Sequence, residues 1–224
     1  AILAGNNKNM EREYDYKTEV FFDDLGDLTK AGETTAKKAI SKLNSRKIKT
    51  CKTNVIFESK IAASLIRNLL TGCNSSLIAR GTSFLKDKLN HKLFNDKINI
   101  VDNPLMKRKL KSKIIDCEGI KCKKNYLIES GKLKFFFNSI EQARQLNQKP
   151  TGHASRSPSS LPSPSASNLY LEKGDISKES LIKSMNKGLL VTELMGSSIN
   201  MSNGDYSRGA SGFWIENGEI AYPV

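Results

Sequence analysis

Apolar positions change their period several times along the chain. In residues 1–26 they alternate, as in Tyr14 and Tyr16, and then cluster at Val20, Phe21 and Phe22, which predicts strands. Ala36, Ala39, Ile40 and Leu43 recur at i, i+3, i+4 and i+7, so an amphipathic helix is expected over Thr29–Lys47 with a Lys-rich face turned outward. A short strand, Asn54–Phe57, follows. Ser59 can cap a second helix whose apolar positions Ile61, Ala62, Leu65, Ile66, Leu69 and Leu70 end at Gly72, a residue suited to the position just past a helix.

From about Ile98 the pattern becomes mainly that of strands. Tyr126–Ile128 and Leu133–Phe137 flank Ser130-Gly131, and Phe213–Ile215 and Ile220–Tyr222 flank Asn217-Gly218. Each pair reads as a hairpin closed by a tight turn that needs positive φ at both central positions. One more helix, about Ser177–Lys187, ends at Gly188 and leads into an apolar strand, Leu189–Met195. The elements together predict an α+β fold, mostly antiparallel β in its C-terminal part, barrel-like or layered, with a few amphipathic helices.

The segment 150–168, PTGHASRSPSSLPSPSASN within its bounds, holds four of the six prolines and is rich in Ser. It cannot bury enough apolar surface to order itself, so a loop or extended linker is expected. Loops of this length inside a domain are often functional.

Composition narrows the function classes. At 224 residues with 38% hydrophobic content, the chain can bury a sizeable core. No run of 18 apolar residues is present, so no membrane-spanning helix is expected. Four irregularly spaced cysteines, Cys51, Cys73, Cys117 and Cys122, fit free thiols in a reducing cytoplasm better than a disulfide framework. The net charge of +13 invites a nucleic-acid reading, but 28 of the 36 basic residues are Lys. The basic runs Lys37–Lys52 and Lys107–Lys113 contain no aromatic residue for stacking, which favours a solvated surface over a nucleic-acid site.

Catalytic motifs are scarce. His91 and His153 are the only histidines, and neither has a second His at helical spacing. Cys117 and Cys122 bracket Glu118 but lack a partner pair, and Gly209-Ala210-Ser211-Gly212 is not a nucleophile elbow. No phosphate-cradling glycine pattern occurs. No catalytic or metal-binding residue is therefore assigned to this chain.

The last 34 residues, VTELMGSSINMSNGDYSRGASGFWIENGEIAYPV, place five glycines among apolar and aromatic residues with one arginine, Arg208. This string resembles the C-terminal signature of PmbA/TldE-type members of the TldD/PmbA family, intracellular zinc metallopeptidases once described as modulators of DNA gyrase. MEREYDY (10–16), RKIKT (46–50), IAASLIRNLL (61–70), TGHASRSPSS (151–160) and SNLYLEKG (167–174) extend the resemblance nearly end to end. It implies roughly the C-terminal half of such a protein: residues 1–50 would close the preceding central domain, strand then helix, and 51–224 would form the C-terminal domain.

In that family the catalytic subunit carries an HExxxH pair on a helix, which would fall near Ile66–Thr71; here IRNLLT offers no zinc ligand. The resemblance therefore implies a non-catalytic subunit, with zinc on a TldD-like partner and unfolded or small peptides as substrate. Thr151, Gly152, Arg156 and Asn168 would border a peptide cleft, and Glu193, Asp205, Tyr206 and Arg208 would contact peptide or partner. Arg208 has two readings: a clamp on a peptide carboxylate or carbonyl, or an ion pair with Asp205 or Glu193. Three other functions stay open: a metallopeptidase with ligands outside this sequence, a gyrase-associated or nucleic-acid modulator, and a scaffold that binds only its partner.

Overall fold

A computed structural model describes residues 1–6, 9–196 and 199–224; Ser197 and Ser198 of the tail string lie outside the described residues. The elements begin with β1 (Ile2–Asn6), β2 (Asn9–Glu13), α1 (Leu28–Ser41), β3 (Asn54–Phe57), α2 (Ser59–Gly72) and α3 (Ser75–Ala79). The middle holds β4 (Ile100–Asp102), β5 (Asn125–Glu129), β6 (Lys132–Leu133), α4 (Ile140–Gln145), β7 (Ala154–Ser155), β8 (Ser163–Pro164) and β9 (Leu169–Leu171). The chain closes with α5 (Lys178–Lys183), β10 (Lys187–Met195), β11 (Gly209–Glu216) and β12 (Glu219–Pro223).

Two compact units arise. The first takes residues 1–63, 175–197 and 208–224. Its sheet runs β12-β11-β10-β3, antiparallel except for β3 beside β10, and its core gathers Ile182, Met185, Leu190 and Ile215. The second takes 64–174 and 198–207. Its sheet runs β6-β5-β4-β9, and Leu127, Ile128, Leu133, Phe136 and Phe137 fill a larger core with Leu69 and Cys73. The sheets are open, so the architecture is layered α+β and the barrel-like alternative falls.

Both hairpins form as their turns require. Ser130 and Gly131 have φ of 46° and 74°, and Asn217 and Gly218 have φ of 50° and 79°. Positive φ at both central positions gives the tight turn a twist that matches its strands.

Several expected elements differ. Val20–Phe22 is not a strand: Phe22–Asp24 forms a single 3-10 turn and Phe22 is exposed, because this stretch pairs with no neighbouring strand among the described residues. In α1 the buried positions are Thr35 and Ala39, with Lys42 just past the helix, while Ile40 stays exposed. Lys42 turns inward because two carboxylates wait for it, a tertiary effect that helical periodicity cannot register. The cap of α2 falls on Glu58, whose carbonyl accepts from Ile61 and Ala62 N–H, rather than on Ser59. Helix α5 stops at Lys183, since Lys187 and Gly188 already pair with β11.

Candidate functional site

The Ser/Pro-rich segment is held at both roots by carboxylates that the sequence did not single out. Asp102, the last residue of β4, is fully buried, and its Oδ1 accepts from Ser167 N–H at 2.7 Å. Its Oδ2 lies 3.1 Å from Nε2 of His153, which is itself 1% exposed. On the other side of the ring, Nδ1 lies 2.9 Å from Thr151 Oγ1, which accepts from Asn138 N–H at 2.9 Å. Nε2 can donate to Asp102 while Nδ1 faces the Thr151 hydroxyl, whose single proton has a second acceptor in the Asn138 carbonyl at 3.2 Å. Phe135 stacks on the ring at 5.5 Å and Phe137 meets it edge-on at 4.9 Å, so the imidazole is locked by packing as well as by polar bonds.

Asp116 holds the adjacent stretch. Its Oδ2 accepts from Ala154 N–H at 3.1 Å, and its Oδ1 from the N–H groups of Glu118 and Ile120, each at 2.9 Å. Gly152 turns with φ of 73°, and a Cβ there would sit 3.0 Å from the Lys121 carbonyl oxygen, so glycine is required for both conformation and space. The Cys122 thiol donates to the Gly152 carbonyl at 3.1 Å, and burial pushes that thiol above its ordinary pKa. At the far root Asn168 accepts from Lys111 N–H and donates to the Asn103 carbonyl and the Ser112 hydroxyl. Between the roots, β7 and β8 pair Ala154 with Pro164 and Ser155 with Ser163. Residues 155–161 are left exposed as a tip.

Thr151 and Gly152 thus stand at one root of the segment and Asn168 at the other, and Arg156 stands on its exposed tip. Tyr206 lines a mostly apolar cavity of about 370 Å³ with Leu65, Asn68, Leu69, Phe84 and Ile199. Asp205 lines a neighbouring open pocket with Asn200 and Ser207, and its carboxylate accepts from the Asn203 side chain at 2.7 Å. The expected ion pair of Arg208 does not form. Its guanidinium donates to the main-chain carbonyls of Met195 and Gly196, which fixes the end of β10.

Glu193 pairs with Lys42 instead. Lys42 Nζ lies 2.8 Å from Glu13 and 3.1 Å from Glu193. Burial alone would raise the Glu13 pKa and lower that of Lys42, but the hydrogen bonds and opposite charges outweigh it. The net result is a Glu13 carboxyl below its ordinary 4.5 and a Lys42 ammonium above its ordinary 10.5.

The described residues do not fit a zinc ion. In α2, Leu69 is buried and Ile66 and Leu70 pack on the core, so the stretch Ile66–Thr71 serves packing. Among the described residues no three His, Cys, Asp or Glu side chains gather closely enough to hold a metal. Cys117 is exposed and Cys122 is committed to Gly152. His91 is exposed, and His153 spends both nitrogens on Asp102 and Thr151.

Comparison with known proteins places this arrangement. A protein named Metalloprotease PmbA homolog, from Buchnera aphidicola subsp. Acyrthosiphon pisum (strain APS), is 37% identical over 223 residues, covering 100% of this chain and 48% of that protein. The Metalloprotease TldD homolog of the same strain is 30% identical over 155 residues, covering 68% of this chain and 32% of that protein. A crystal structure from Thermotoga maritima MSB8, described as a modulator of a DNA gyrase, matches with a TM-score of 0.88 at 29% identity, over 99% of this chain and 51% of that one. The chain spans about half the length of the curated PmbA relatives it matches. Residues 50–224 match the family model for the PmbA/TldA metallopeptidase C-terminal domain, and the chain therefore belongs to the PmbA/TldD metallopeptidase family.

Proposed function

We propose that this chain is part of the non-catalytic subunit of a heteromeric PmbA/TldD-type zinc metallopeptidase that cleaves unfolded or small peptides. A TldD-like partner supplies zinc, water and general base. The observation that carries this reading is a conjunction: the chain belongs to a metallopeptidase family, and α2 devotes Ile66, Leu69 and Leu70 to the core where the resemblance puts the metal pair. The contribution of this chain is positional. An anchored segment with an exposed tip, and open sheet margins able to accept an extended peptide by main-chain bonding, suit a wall of a peptide cleft.

Two measurements test the assignment. The purified chain is expected to hold far less than one zinc per molecule, because two separated histidines and scattered thiols make no tetrahedral set. It is also expected to co-purify with a TldD-like protein when the two are co-expressed. Stoichiometric zinc that survives mild chelation would contradict the reading, and so would a failure to associate.

A further inference from the structure

Beside Thr151 the second unit opens a cavity of about 890 Å³, a size that suits a ligand or a short peptide stretch. Five of its twelve lining residues are lysines, Lys121, Lys123, Lys124, Lys134 and Lys149, against 28 lysines in 224 residues overall. Lysine thus makes up a larger share of this lining than of the chain as a whole. Among the described residues Glu129 is the one carboxylate in the lining, and it is paired with Lys134 at 3.4 Å. Lys121, Lys123 and Lys149 are exposed and have no carboxylate in ion-pair range among the described residues.

The wall of this cavity is a sheet margin. β6 pairs with Ile128 and Glu129 of β5 and the next residue, Lys134, donates its N–H to the Leu127 carbonyl, so Asn125 and Tyr126 run past that point and line the opening. Such a margin offers main-chain groups to an added extended segment. The aromatic rings are already engaged: Phe135 stacks on His153, and the face of Tyr126 carries the Lys124 ammonium at 5.6 Å. Among the described residues no arginine lines the cavity. Successive bases need free aromatic faces, and bidentate phosphate grip favours Arg, so this chemistry suits carboxylates better than nucleic acid.

We propose that this cavity binds an extended acidic peptide segment, aligned along the β5 margin with its carboxylates on Lys121, Lys123 and Lys149. The inference rests on the peptide-handling function above and names the class of peptide selected.

Fluorescence anisotropy with a labelled Glu/Asp-rich decapeptide tests it on the chain alone, without hydrolysis. Salt-sensitive binding is expected, stronger than that of a neutral decapeptide or of a single-stranded oligo-dT of equal length. Lys121→Glu/Lys123→Glu/Lys149→Glu should weaken it at least about tenfold, since reversed charges in a binding cleft both remove attraction and add repulsion. The control Lys107→Glu/Lys109→Glu/Lys111→Glu makes the same change in net charge on exposed positions outside the lining, and should change binding less than about twofold. Equal losses in the two triple variants, tighter binding of oligo-dT, or no preference for the acidic peptide would overturn the proposal. A partnered enzyme that hydrolyses peptides with no acidic preference would sink this inference and leave the subunit assignment standing.

Discussion

Lys42 in one unit and Asp102 in the other are both charged groups closed off from water, yet they are neutralised in different ways. Lys42 sits between two carboxylates, one from β2 and one from β10. Coulomb attraction falls slowly with distance, so that cluster draws three elements together without dictating the path of any backbone. Asp102 is held by directional donors, the N–H of Ser167 and the ring of His153, both belonging to the segment that it positions. Asp116 repeats the device with three backbone N–H groups. A charge that must be satisfied by hydrogen bonds fixes where a chain runs to within a few tenths of an ångström. The difference teaches where shape matters: the ion cluster secures a layer, while the buried carboxylates set the course of the segment assigned to the peptide cleft.

The largest break in this comparison should come from Asp102→Ala. It strands the Ser167 N–H and the His153 ring in a buried site, at a cost of about 3–5 kcal/mol measured by denaturant unfolding. Asp102→Asn keeps an acceptor for Ser167 and can answer the opposite tautomer of His153, so about 1–2 kcal/mol is expected. Equal losses would mean that charge, and not directional bonding, holds the root.

Lys42→Met should cost less, about 1–3 kcal/mol, because Glu193 is a third exposed and water can take over part of the partner's role. The pH dependence has a definite sign. Glu13 titrates below its ordinary 4.5 when folded, so its contribution is complete above that value and is lost as pH falls through the folded pKa. Lys42 titrates above its ordinary 10.5, so its contribution is complete below that value and is lost as pH rises through the folded pKa. The stability gap between the native chain and Lys42→Met should be widest from about pH 6 to 9 and shrink on acidification. A gap that grows in acid would contradict the pairing.

Limited trypsinolysis gives the smallest and most local effect. The first internal cut should fall after Arg156, on the exposed tip, before any cut after Lys37 or Lys38 in α1. Asp102→Ala should speed that cut several-fold, while Lys42→Met leaves it unchanged.

Much of the fold was legible because it depends on local signals. The turn pairs Ser130-Gly131 and Asn217-Gly218 announce their φ requirement, and the apolar stripe of α2 shows its period. Lys42 and Val20–Phe22 misled for opposite reasons. A lysine reads as surface until two carboxylates from distant strands close on it, and an apolar run reads as strand until no neighbour pairs with it. Thr151, Gly152 and Asn168 were singled out through resemblance as bordering a peptide cleft, but their role as anchors was not visible. It depends on Asp102 and Asp116, which lie 49 and 35 positions before Thr151 and stand in no motif. The segment between them reads as unstructured on composition because the bonds that order it come from buried side chains elsewhere in the unit.

The central claim is that this chain shapes a peptidase whose chemistry belongs to a partner, and a reconstituted hydrolysis assay tests it most directly. The protein carrying this chain should cleave no unfolded peptide alone, and should raise the activity of an HExxxH-bearing TldD-like protein on mixing by roughly 10²-fold, the scale that positioning and electrostatic contributions can supply. Hydrolysis by the lone protein, or a mixture no more active than the TldD-like protein by itself, would contradict the account.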